Sequence, residues 1–335
     1  MHQKIRWGIL GCGRIARKFA SDLRWVADAE LVAIGSRSGT AAGQFAREFP
    51  VAFVHDSYEA LAANDQVDVI YVASPHGLHH EHTLLCLGHK KAVLCEKAFA
   101  INSRQASEMI GAARENQVFL MEALWTKFSP HYIRLMEILK EGRLGHLQNV
   151  LVNFGFIPQA PVPERLYAPA LGGGALLDIG IYNVFMALSA LGRPDQIEAS
   201  MTPAPTGVDE QIAILFKYAG GAMAQLFASF STNLATEADI SGEKGRIRLS
   251  SRFYEPSTTL EYYSGRADSR EVIPFHQEPG FGYQFEARHV GECLREGLTQ
   301  SPVMTHADTL LLMETLDRIR AAAGIHYPAD SPGPK

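Results

Sequence analysis

Apolar residues in the first 122 positions come in short dense blocks, separated by longer stretches where they recur at helical spacing. The blocks at residues 4–10, 30–35, 51–54, 67–73, 92–95 and 118–121 show little alternation, as in strands covered on both faces. Residues 14–26, 40–49, 58–63, 78–87 and 103–116 are read as helices, two of them capped by Ser38 and Ser57. Strand and helix alternate throughout. This predicts an α/β fold: a doubly wound parallel sheet in the order 3-2-1-4-5-6, with ligand at the carboxyl ends of the strands.

After Glu122 the pattern changes. A helix at 130–141 ends at Gly142, a strand follows at 148–156, and a Pro-rich loop leads to Gly172, Gly173 and Gly174. These glycines open a helix running to about Leu191. Segments with strand character follow at 197–201, 211–218, 222–229, 236–241, 246–250, 258–263 and 270–275. Gly220-Gly221 and the turn from Gly242 to Gly245 are hairpin signals. Helices are expected at 281–296 and 307–323, the second with Thr305 and Asp308 as a capping box, and the tail from Pro328 is read as frayed. The division is placed at 122/123: a Rossmann domain over 1–122 and an α+β domain over 123–335 with a large, mostly antiparallel open sheet. Helices are too few to cover both faces of that sheet, so a second copy is expected on the open face, giving a homodimer.

The chain has 335 residues, 47% hydrophobic and 20% charged, an ordinary globular composition with length for two domains. A net charge of −5 and the lack of a Lys/Arg run argue against nucleic acid and against an anionic membrane surface. No apolar run is read as approaching the ~18 residues of a membrane span, and no signal-peptide pattern precedes the first strand. Cys12, Cys86, Cys95 and Cys293 are scattered without a C-x-x-C, as in free thiols of a reducing compartment, so the expected location is cytoplasmic.

The candidate chemistry begins at Gly11-x-Gly13-x-x-Ala16, between the first strand and a helix opening with Arg14 and Ile15. A glycine turn there brings bare N–H groups to a helix N-terminus, which suits a pyrophosphate. Ser36, Arg37 and Ser38 stand at the end of the second strand, where an NAD site places a carboxylate. A guanidinium with two hydroxyls fits a 2′-phosphate instead, so NADP(H) is the expected cofactor. The cluster His76, His79, His80 and His82 is not read as a metal site: on a helix His76 and His80 share a face while His79 and His82 point elsewhere. One or two of these rings are expected to face the cofactor. Glu96-Lys97 ends the fifth strand, placing an ammonium where it polarises a carbonyl or lowers an acid's pKa. Asp178 interrupts an apolar stretch, and Tyr182 lies four residues on, sharing its helical face. Capping and core packing are the competing readings of these two residues.

Together the glycine turn, Ser74-Pro75-x-x-x-His79, Glu96-Lys97 and Asp178-x-Gly180-x-Tyr182 resemble the glucose–fructose oxidoreductase/inositol dehydrogenase (Gfo/Idh/MocA) family over nearly the whole chain. AVLCEKAFAIN, LMEALWTKFSP and GGGALLDIGIYNV look most like its branch of dimeric dihydrodiol dehydrogenases and NADP-linked sugar dehydrogenases. The resemblance implies hydride transfer between the nicotinamide and a carbinol or carbonyl of a sugar, polyol or trans-dihydrodiol. It implies that Tyr182 is the general acid/base, assisted by Lys97 across the bound dinucleotide, and that Asp178 orients substrate hydroxyls. It further implies that His79 lines the nicotinamide side, and that Trp125 and Phe154 form an aromatic wall. Ser74, Pro75 and Glu96 join the cofactor set. Where many members have Pro after Glu-Lys, often with a cis peptide, this chain has Ala98. The alternative is a cofactor-binding regulator that keeps the fold without turnover.

Overall fold

The structure is a computed structural model that describes residues 4–265 and 269–331. The chain divides into two compact units, Met1–Phe128 with Glu278–Leu310, and Ser129–Gln277 with Leu311–Lys335.

In the first unit the elements run β1 (Ile5–Leu10), α1 (Arg14–Leu23), β2 (Ala29–Gly35), α2 (Gly39–Glu48), β3 (Phe53–His55), α3 (Tyr58–Ala62), β4 (Val69–Val72), α4 (His79–Gly88), β5 (Ala92–Glu96), α5 (Ser103–Asn116) and β6 (Leu120–Ala123). The six strands form a parallel sheet in the order β3-β2-β1-β4-β5-β6, as the sequence predicts. β4 and β5, inside the sheet, are buried along their length because helices cover both faces. Ser38, Ser57 and Asn102 cap α2, α3 and α5 through their side-chain oxygens.

Elements continue with α6 (Pro130–Lys140), β7 (Leu147–Gly155), α7 (Ile181–Leu191), β8 (Gln196–Pro203), β9 (Asp209–Lys217), β10 (Met223–Ser229), β11 (Glu237–Gly242), β12 (Gly245–Ser250), β13 (Thr259–Ser264), β14 (Arg270–Ile273), α8 (Tyr283–Arg295) and α9 (His306–Ala323). The second unit is built on an eight-stranded sheet in the order β14-β13-β12-β11-β7-β10-β9-β8. All pairs are antiparallel except β7 with β10. Both hairpins signalled by glycines are present, β9–β10 and β11–β12.

Three differences from the sequence reading have physical causes. Residues 278–310 pack with the first unit, although the single division at 122/123 puts them in the second. The Asp22 carboxylate, buried in α1, accepts the N–H groups of Phe281, Gly282 and Tyr283 at 2.8–3.0 Å, docking α8 by its N-terminus. Helical spacing cannot reveal that pairing across 259 residues. Residues 169–191 do pass as long and apolar enough for a membrane span, contrary to expectation, but they are mostly buried inside the unit and are interrupted by Asp178. The tail is ordered as far as a turn at Pro328–Asp330, where Asp330 pairs with Arg320 and accepts from Tyr327 N at 2.8 Å; residues 332–335 of that reading lie outside the described residues. The Thr305/Asp308 capping box of α9 forms as expected, with reciprocal bonds of 3.0 and 3.1 Å.

Candidate active site

In the first unit the glycine turn joins β1 to α1. Gly11 has φ +103°, and a Cβ there would stand 3.0 Å from the carbonyl oxygen of Ala73. Both facts demand glycine. Gly13 has φ −73°, and a Cβ on it would meet nothing within 4 Å. The space it leaves adjoins the first turn of α1, whose N-terminus has no side-chain cap. Orphan N–H groups at Arg14 and Ile15 therefore border a cradle that an added methyl would fill. Ala16 is fully buried. This arrangement fits a dinucleotide pyrophosphate.

At the end of β2, the Ser36 hydroxyl accepts from Ser38 N at 3.1 Å and the Ser38 hydroxyl from Ala41 N at 3.3 Å. Arg37 is exposed, with its guanidinium 5.8 Å from the centre of the Tyr58 ring. Among the described residues it forms no ion pair. Tyr58 stands edge-on to His82 at 4.6 Å, and His82 Nδ1 lies 2.9 Å from Ser74 Oγ. Burial, and then the Arg37 charge, push His82 down to about 4, so its ring is neutral at physiological pH.

β5 delivers Glu96 and Lys97. Glu96 is buried; its Oε1 accepts the Tyr71 hydroxyl and its Oε2 accepts Lys97 N at 3.2 Å. The Lys97–Ala98 peptide is cis although no proline follows. His79, expected on the nicotinamide side, is fully buried, with Nδ1 2.8 Å from Ala98 O and Nε2 2.7 Å from Ser74 O. It ties the turn after Lys97 to the end of β4. Burial drives it down to about 4 against the pull of both carbonyls, and a neutral ring donates to only one of them. His80 pairs with Glu108 at 2.7 Å, and His76 packs edge-on to His79. Among the described residues no group of three His, Cys, Asp or Glu could hold a metal ion. Behind Glu96, burial pushes Glu286 well above the usual carboxylate range, with Glu96 and Asp22 adding to the effect. Trp125 is buried and stacks on Tyr283 at 4.5 Å.

In the second unit the three glycines each have a reason. Gly172 has φ +72°, a Cβ on Gly173 would stand 2.8 Å from Leu166 O, and a Cβ on Gly174 would overlap Asp209 Oδ1. Asp209, at the start of β9, accepts Leu176 N at 2.6 Å and so caps the site helix. Burial lifts Asp209 to about 7. The helix opens with a π turn, Leu176–Gly180, rather than α-helix, so the α-helical spacing argued for Asp178 and Tyr182 does not apply unchanged. Asp178 is 8% exposed and accepts Arg165 Nη1 at 2.8 Å. Tyr182 packs beside Phe154 at 6.1 Å and Tyr254 at 4.9 Å, while Phe154 and Tyr254 stack at 4.6 Å. Tyr254 follows two residues in the left-handed region, Ser251 and Arg252.

Of the two residues expected to form an aromatic wall, Trp125 stacks with Tyr283 in the first unit and Phe154 with Tyr254 in the second. Arg165, Asp209, Tyr254 and Tyr283 escaped the sequence reading. Asp209 alone carried a signal, an acidic residue opening an apolar strand. The others lie in segments without periodicity or in a helix whose docking is nonlocal.

A family model described as "Oxidoreductase family, NAD-binding Rossmann fold" matches residues 5–124, and the Gfo/Idh/MocA C-terminal domain matches 132–248. The trans-1,2-dihydrobenzene-1,2-diol dehydrogenase of Sus scrofa is 36% identical over 333 residues, spanning 97% of this chain and 99% of its own length. A 3-ketoreductase from Actinomadura kijaniata, solved with NADP and TDP-benzene, superposes with TM-score 0.86 at 27% identity, covering 96% of this chain and 98% of its own. An aldose-aldose oxidoreductase from Caulobacter crescentus, solved with glycerol, shares the fold with TM-score 0.87 at 24% identity over 96% and 98% of the two chains.

Proposed function

This chain belongs to the Gfo/Idh/MocA oxidoreductase family, and we propose on that premise that it is an NADP(H)-dependent dehydrogenase or reductase of a sugar, polyol or trans-dihydrodiol. The observation that carries the reading is Tyr182, a phenol set against the stacked Phe154 and Tyr254 rings on the helix that also presents Asp178. Tyr254, the one of these rings that is only partly buried, offers a flat ring substrate a face to pack on, and a phenol gives or takes the proton of a carbinol. The nicotinamide supplies the hydride chemistry when bound.

Residues of this chain do the rest. Gly13 and the α1 N-terminus hold the pyrophosphate. Arg37, exposed beside Ser36 and Ser38, takes the 2′-phosphate; the NADP bound by the 3-ketoreductase supports that choice. Ser74 and Pro75 border the cofactor. Glu96 and His79 hold the turn that carries Lys97, and Lys97 is the cation that assists Tyr182. Asp178 orients substrate hydroxyls. Cys12, Cys86, Cys95 and Cys293 are all free, which fits a reducing, cytoplasmic setting.

A screen of aldoses, polyols and trans-dihydrodiols with NADP+, followed at the nicotinamide absorbance, tests the activity. Tyr182→Phe and Lys97→Met are each expected to lower kcat by ~10² or more while NADP(H) still binds. If both variants keep full kcat, the catalytic assignment fails.

The uncovered face of the eight-stranded sheet is proposed as a homodimer interface. Leu151 on β7 and Met223 on β10 are 41% and 45% exposed there. Around them lie the charged pairs Arg246–Asp239 and Arg248–Glu237.

A further inference from the structure

We infer that His131 is a positioning residue for the proposed site: it holds the strained turn at Ser251 and Arg252 in the form that presents Tyr254 to Tyr182. The inference rests on the proposal that substrate binds against Tyr182 and Tyr254.

His131 lies on the buried face of α6, in line with Leu135 and Ile138. It is fully buried, at a position where an apolar side chain would be ordinary. Burial pushes it down to about 4, so the ring is neutral and has one N–H. Nε2 lies 3.0 Å from the carbonyl oxygen of Phe253, and a carbonyl only accepts, so Nε2 carries the proton and donates. Nδ1 is buried and has no partner among the described residues. The bond to Phe253 O is what a histidine supplies here and a leucine would not.

The acceptor belongs to a turn that the chain would not adopt by itself. Ser251 and Arg252, which follow β12, have φ +54° and +62°. Two successive residues with a Cβ in the left-handed region are strained, and such a form persists only where its surroundings impose it. Thr236 O imposes it from beside β11, accepting Arg252 N at 2.7 Å and Phe253 N at 3.3 Å. His131 imposes it from α6. Phe253, fully buried, is held between the two, and Tyr254 is the next residue. The Tyr254 ring is thereby set 4.6 Å from Phe154 and 4.9 Å from Tyr182. Without the His131 bond the Phe253 carbonyl is buried and unpaired. The turn then relaxes by rotating that carbonyl away, which carries Tyr254 off Tyr182.

The test is NMR of the full chain with isotope-labelled tyrosine rings, the two signals being assigned from Tyr182→Phe and Tyr254→Phe. Tyr254→Leu marks where the Tyr182 signal goes when the neighbouring ring is absent. His131→Leu should move the Tyr182 signal toward that position. It should also raise KM about tenfold with kcat within about twofold, because a ring face is lost and the phenol is not. His131→Gln, whose amide N–H reaches as Nε2 does, should restore both. Ser251→Gly, which takes the left-handed form without strain, should restore both in the His131→Leu background. A defect confined to core packing is repaired by neither change. Should His131→Leu fail to fold, Ser251→Gly in the wild-type background decides. It should raise the melting temperature and keep the Tyr182 signal, because residue 251 is exposed and only its strain is removed. An unmoved Tyr182 signal in His131→Leu, failure of either rescue, or a lower melting temperature in Ser251→Gly each overturn the inference. The expected signals without oxidation of any substrate support the role of His131 while removing the dehydrogenase proposal.

Discussion

Asp209 accepts the N–H of Leu176 at 2.6 Å, and its other carboxylate oxygen occupies the space that a side chain on Gly174 would need. A single buried acid thus caps the helix carrying Asp178 and Tyr182 and explains the glycine before it. Burial raises its folded pKa to about 7, above the unfolded value of 3.8. Between those values the folded state holds a proton that the unfolded state has lost, so this group's contribution to stability falls as pH rises. Asp209→Asn removes that dependence. The stability of wild type relative to Asp209→Asn should fall by about 1.4 kcal/mol per pH unit between about pH 4 and 7 and then level off. Asp209→Ala, which leaves the Leu176 N–H without a partner, should be about 1–2 kcal/mol less stable than Asp209→Asn at any pH. Urea titrations across that range check both, and parallel curves for wild type and Asp209→Asn would refute the assignment.

Glycines that look alike in the sequence should respond differently to alanine. Gly13→Ala should leave the melting temperature within a few degrees of wild type, because its Cβ enters open space at an ordinary φ. Its NADP(H) dissociation constant should rise about tenfold or more, since the methyl stands where the phosphates approach. Gly174→Ala, at φ +118° and against Asp209, should lose 3 kcal/mol or more, or fail to fold. Calorimetric melting and cofactor titration of the two variants separate the effects.

Arg37 should set the choice of dinucleotide. Two charge-assisted hydrogen bonds from its guanidinium to a 2′-phosphate amount to about 10² in affinity. Arg37→Asp is expected to lower the NADPH-over-NADH preference by that factor, measured as a ratio of dissociation constants. Retention of the full preference would make Arg37 a solvated loop residue whose guanidinium lies 5.8 Å from the Tyr58 ring centre.

The open sheet face should respond to a buried polar group. Leu151→Asn with Met223→Asn should convert a dimer to a monomer at micromolar concentration while lowering the unfolding free energy of the protomer by no more than about 1 kcal/mol, since both side chains are exposed in it. Sedimentation of wild type as a monomer at that concentration would end the proposal.

Much of the fold was legible because its causes are local. Continuous apolar blocks such as residues 67–73 and 92–95 mark strands buried on both faces, and connection rules then leave few sheet orders. Glycine pairs announce the β9–β10 and β11–β12 turns, and Thr305 with Asp308 announces α9. Gly11, Asp178 and Tyr182 stood out for the same reason, each breaking a local pattern. The fate of a residue within a motif was less legible. His79 sits in the same short segment as His76, His80 and His82, and only packing sends it to two buried carbonyls while His80 reaches Glu108.

The sequence by itself determined the order of elements and the glycine turn of a nucleotide-binding strand–helix unit, since periodicity and backbone permissiveness act over a few residues. Tertiary structure alone decided the partners. Asp22 finds the N-terminus of α8 259 residues away, Arg165 is pinned to Asp178 by a loop hydrogen-bonded to glycines, and Asp209 caps a helix 33 residues before it. Those contacts arise from how sheets and helices dock, and docking depends on the shape and burial of whole surfaces, which no short stretch of sequence contains.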